Sequence, residues 1–104
     1  MNSLMANAIE VALDTYISSL YDVRKFFHLQ KGQFLEVDQL KCLGLYHLEL
    51  IEDCLKSEIE GTEQCIIDEN DPDEKDAFMD QKSDQIGALY CVQQAIVILK
   101  KGEQ

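Results

Sequence analysis

The sequence predicts an all-α protein: an antiparallel, up-down-up three-helix bundle, with apolar surface to spare for pairing into a helical homodimer. Three observations predict it. Apolar residues recur at spacings of three and four over long stretches, the period of an amphipathic helix. One Pro and five Gly in 104 residues leave little room for a turn-rich β-sandwich. The breaks between periodic stretches are of modest length, as between neighbouring antiparallel helices. The length is that of a single helical domain, 1–104.

The first helix is expected at about residues 3–30. Met5, Ile9, Ala12, Tyr16, Leu20, Val23 and Phe27 form one stripe, with Glu10, Asp14, Ser18, Asp22, Lys25 and His28 opposite it. Lys31 and Gly32 make a plausible stop.

The second helix is expected at about 37–60, with Leu40, Leu43, His47, Leu50, Ile51, Cys54 and Leu55 inward and Gly61 at its C′ position. Gly44 then falls mid-helix. Cys42, Leu45 and Tyr46 lie outside the stripe, a surplus apolar patch that a second layer or a partner would cover. Ile66 and Ile67 either tuck under the bundle or lengthen this helix by a turn.

The third helix is expected at about 72–101 and has the best start signal in the chain. Asp71 is the cap, Pro72 takes N1, where its missing N–H costs nothing, and Glu74 at N3 is placed to reach back. Phe78, Ile86, Leu89, Tyr90, Ile96 and Val97 are expected inward. Lys100 and Lys101 suit the negative end of the helix dipole, and Gly102 ends it. Gly87, in its middle, would be explained by close approach of another helix. Gln93 is a buried amide that needs a partner, His47 being one candidate, or else a residue that fixes register or dimer pairing.

Charge narrows the function. Nine Lys and Arg against twenty Asp and Glu give a net charge of −11, which argues against direct nucleic-acid binding through a basic surface. The excess is local. Residues 49–84 hold fourteen acids and three bases, and the remainder is neutral. Such a field would steer a basic partner.

The first five residues carry no Lys or Arg, and Glu10 and Asp14 follow, so no signal peptide is read. The longest apolar stretch, 88–99, is broken by Gln93 and Gln94 and is too short to span a bilayer. A soluble, cytoplasmic protein without membrane association is expected.

Catalytic and metal motifs are missing. The run Asp68-Glu69-Asn70-Asp71-Pro72-Asp73 fails as an EF-hand in either register, because Pro72 or Lys75 falls where the fifth position needs an oxygen ligand. No Glu stands three residues before His28 or His47, so no di-metal carboxylate pattern exists. Cys54 lies two helical turns from His47, roughly 10 Å along the axis and too far for a nucleophile pair. Cys42, Cys54, Cys65 and Cys91 contain no C-x-x-C and are expected as small buried hydrophobes. No phosphate-cradling loop is present, and no cofactor is expected.

A non-enzymatic interaction module of adaptor, inhibitor, immunity-protein or antitoxin type, binding a basic protein, is therefore expected. Its candidate contact residues are Cys42, Leu45, Tyr46, Glu49, Asp53, Glu60, Glu63, Asp68, Glu69, Asp73 and Asp76. Two alternatives stand beside it. One is a DNA mimic that presents carboxylates to a nucleic-acid-binding or defence protein. The other is a metal-binding bundle or enzyme in which His47 and helix carboxylates converge.

Overall fold

The computed structural model describes residues 1–29 and 36–102. Among these residues it is all-α, with five helices and no strand. They are α1 (Ser3–Tyr16), α2 (Tyr21–Leu29), α3 (Val37–Leu40), α4 (Leu45–Asp68) and α5 (Pro72–Gly102). A 3-10 turn, Lys41–Leu43, joins α3 to α4. The stop expected at Lys31 and Gly32 lies outside the described residues.

The expected first helix is broken in two. Ile17 leaves helical geometry at φ −138°, and Ser18 and Ser19 follow, residues whose hydroxyls compete with helical backbone bonds. The chain reverses and α2 folds back along α1. Arg24 then pairs with Asp14, and His28 Nδ1 lies 3.2 Å from Glu10. Arg24 also covers the Tyr21 ring at 5.2 Å. Val23 and Phe27 still reach the core, whereas Tyr16 at the break is half exposed.

The second helix also differs, and Gly44 is the reason. It sits at φ +84°, ψ 156°, a region open essentially to glycine alone, and it ends the 3-10 turn rather than lying mid-helix. Its carbonyl accepts the Leu48 N–H at 3.1 Å, the first bond of α4. At the other end α4 runs through Gly61 to Asp68. Ile66 and Ile67 therefore lengthen the helix, and Ile67 is exposed rather than tucked under.

The third helix starts where expected, but the Asp71 N–H is held by Glu69 Oε1 and not by Glu74. Asp71 Oδ1 accepts the Asp73 N–H at 3.0 Å, and Pro72 occupies N1. Its buried face is the expected one only in part: Ile96 is buried and Leu89 packs against the core, but the other inward residues differ. Gln85, Ala88, Val92, Ala95 and Ile96 are inward, while Ile86, Tyr90 and Val97 are exposed. This helix carries apolar residues on two opposite sides, and the side with the small Ala88 and Ala95 is the one the other helices approach. Gly87 faces the Met5 side chain: a Cβ there would lie 2.4 Å from Met5 Cε.

Helices α4 and α5 pair antiparallel over their length, with Lys100 3.8 Å from Glu49 at one end and Lys82 3.4 Å from Glu63 nearer the other. Against one half of this hairpin pack α1 and α3, and α2 packs on α1 with Val23 and Phe27 in the same core. Ile9, Leu13, Phe27, Leu40, Leu48, Ile51, Leu55 and Val92 are its largest fully buried side chains. The other half protrudes, and the molecule is 48 × 27 × 25 Å.

Candidate functional site

The residues singled out in the sequence separate into two groups. Tyr46 is 72% exposed, with its ring 5.5 Å from that of His47, and Cys42 is exposed on the 3-10 turn. Leu45, by contrast, packs against the core and is lost from the patch. Glu49 pairs with Lys100 close by, and Asp53 is exposed one turn further on. The remaining acids lie at the far end of α4 and the start of α5. Tyr46 and Asp68 are the same helix's two ends, about 33 Å apart at 1.5 Å per residue. A single partner contact of ordinary size, about 800 Å² a side, would have to run along most of α4 to reach both.

At the far end several acids are occupied with the turn itself. Glu69 Oε1 accepts the N–H groups of Asn70 and Asp71 at 3.0 Å each. Asp68 accepts from Gln64 Nε2 at 3.0 Å. Glu63 faces Lys82. Glu60, Asp73 and Asp76 are exposed to solvent.

Sequence reasoning missed a different surface. A groove of about 450 Å³ runs between α1 and the first half of α5. Leu4, Asn7, Ala8 and Val11 form one wall; Ala77, Asp80, Gln81, Asp84 and Gln85 form the other. Leu4 and Val11 are 61% and 46% exposed. Asp80 and Asp84 stand one helical turn apart on the α5 wall. Gln85 is only 3% exposed, and its Oε1 has no hydrogen-bond partner among the described residues. The fully buried amide of α5 is thus Gln85 and not Gln93, which is only partly buried. The signal for this wall was present in the sequence: Leu4, Ala8 and Val11 form a second stripe at spacings of four and three. The stronger stripe through Ile9 masked it.

The titratable side chains have local explanations. His47 is half-buried at the start of α4, and its Nδ1 lies 3.0 Å from the Leu43 carbonyl oxygen. That oxygen only accepts, so Nδ1 carries the proton. Burial pushes the Cys54 thiol above its ordinary range, and the carboxylates of Asp53 and Glu58 push it the same way. A thiol so held is a poor nucleophile. Cys42 and Cys65 are exposed, against expectation, and only Cys54 is buried. Cys42 leaves the core with the 3-10 turn, and Cys65 lies beyond the core on the protruding half of α4. Among the described residues no three His, Cys, Asp or Glu side chains gather as a metal site. No helix among them is long and apolar enough to cross a membrane.

Compared with known proteins, the chain matches no family model, no curated protein and no solved structure.

Proposed function

We propose that this chain is a non-enzymatic interaction module that takes a basic amphipathic helix of a protein partner into the groove between α1 and α5. The observation that carries this reading is the pairing of two unlike walls. The apolar wall of Leu4, Ala8 and Val11 offers anchors at helical spacing, and the facing wall offers the carboxylates of Asp80 and Asp84. A helix with apolar residues at i, i+4 and i+7 and Lys or Arg on one flank complements both. The acidic half of the α4–α5 hairpin would raise the encounter rate with such a partner at low salt.

A photo-crosslinking residue at Val11, used in the native host, tests this reading. The expected adduct is a Lys/Arg-rich amphipathic segment of one protein. It should be lost in the Asp80→Lys, Asp84→Lys double variant and retained when Tyr46→Glu is introduced. Adducts that survive the charge reversal would exclude the groove. Displacement of the captured protein by duplex DNA would favour the DNA-mimic alternative.

A further inference from the structure

The outer side of α5 carries a second apolar stripe that the other described residues leave largely uncovered. Met79, Ser83, Ile86, Tyr90, Gln93 and Val97 follow one another at spacings of 4, 3, 4, 3 and 4. That alternation is the a/d seam of a coiled coil. At about 100° per residue the seam lies opposite the inward Ala88, Val92 and Ala95. Its four large apolar members are between 43% and 61% exposed. Ile66 of α4 borders the same strip, in a shallow hollow with Met79 and Ile86.

We infer that this seam pairs antiparallel with the same seam of a second copy of the chain. Register and charge single out that occupant. An antiparallel coiled coil sets each a position against a d position of the other helix. If Met79 is set against the partner's Val97, every further layer of the seam is self-consistent. Ser83 meets the partner's Gln93, polar against polar, and Ile86 meets the partner's Tyr90, apolar against apolar. Asp76, one step before the seam, meets the partner's Lys100, opposite charges. Lys100 lies 3.8 Å from Glu49 within its own chain, so the two carboxylates share it.

The parallel arrangement fails these tests. It would set Asp76 against Asp76 and bring the two acidic hairpin ends together. In the antiparallel arrangement those ends lie roughly the length of α5 apart, about 46 Å, several times the screening length of about 8 Å at physiological salt. The seam and the α1/α5 groove occupy different sides of α5, so this inference does not rest on the proposed partner.

The test combines mass in solution with crosslinking. Light scattering of the full chain should give twice the chain mass. Ile86→Glu with Tyr90→Glu should give a monomer with unchanged helical circular dichroism, since both side chains are exposed. In a background with Cys42→Ser and Cys65→Ser, M79C and V97C chains should form a disulfide dimer when mixed and oxidised. Neither should do so alone. A wild-type monomer at millimolar concentration would overturn the inference. So would a dimer indifferent to Ile86→Glu, or self-crosslinking of M79C alone, which marks a parallel pair.

Discussion

Two halves of one helical hairpin are held by different forces. In the proximal half, α4 residues 48–55 and α5 residues 88–96 meet with Leu48, Ile51, Leu55, Ala88 and Val92 fully buried, and α1, backed by α2, seals them from the side. In the distal half the buried residues of α4 and α5 are Thr62 and Gln85, both polar. Thr62 Oγ1 donates to the Glu58 carbonyl at 3.0 Å and lies 3.5 Å from Gln81 Nε2. Between residues 60 and 84 the chain has ten acids and two bases. Helix continuity carries both strands of the hairpin outward past the point where apolar burial holds them together. The difference teaches that helical periodicity and tertiary stability are separate quantities in this chain. The distal half is helical because its local signals are good, and it is available to a partner because its own contacts are weak.

The sharpest way to break this comparison is to remove a core side chain. Phe27→Ala deletes the largest fully buried side chain and should cost about 3–5 kcal/mol, read as a fall in the urea midpoint. Removing any one side chain of the distal half should cost far less. If Thr62→Val, which deletes the hydroxyl of that half, matched Phe27→Ala, the division would be wrong.

Gly44→Ala ranks next. An alanine at φ +84°, ψ 156° is strained, and the expected cost is about 1–3 kcal/mol. Among the described residues, none beyond its chain neighbours comes within 4 Å of its absent Cβ, so the penalty is one of backbone conformation and not of crowding. Gly87→Ala reverses those terms: its backbone is helical and its neighbour is the flexible end of Met5, which can move aside. Gly44→Ala should therefore be the more damaging of the two by thermal denaturation.

The sequence made some of this legible and hid the rest for physical reasons. The α5 start was readable because Asp71-Pro72 is a local signal whose geometry does not depend on the rest of the fold. The inward face of α1 was readable because Ile9 and Ala12 have no rival stripe of similar strength. The face of α5 was not. Ile86, Tyr90 and Val97 on one side outweigh Ala88, Val92 and Ala95 on the other in bulk, yet it is the smaller side that lets α1 and α4 approach. Gly44 read as mid-helix because a positive φ leaves no mark on a hydrophobic pattern. The groove was hidden because its walls come from helices some seventy positions apart in sequence, and no local pattern records that meeting.

Cysteine chemistry separates the halves by a second measure. Cys54, in the proximal half, should react with a thiol reagent only on unfolding, whereas Cys65, in the distal half, should react at once alongside Cys42. The raised Cys54 pKa also has a sign. The folded state keeps a proton that the unfolded chain releases, so this contribution to stability is whole below the ordinary thiol range and is lost as pH rises from that range through the raised folded-state value. Cys54→Ala should flatten that alkaline decline, measured by urea titration across the thiol range.

The smallest expected effect is at Lys82. Its Nζ lies 3.4 Å from Glu63, with both side chains partly exposed, and an ion pair of that kind is worth about 0.2–1 kcal/mol. Lys82→Ala should therefore barely move the urea midpoint at physiological salt. Its consequence should appear in the salt dependence. Lys82 is one of only two bases among the acids of residues 60–84, and without it the repulsion along the distal half is less compensated. Salt screens that repulsion, so the variant should gain more stability than the wild type on going from low to high ionic strength. An equal gain in both would mean that the distal half carries its charge without strain, and that its looseness comes from missing apolar contacts alone.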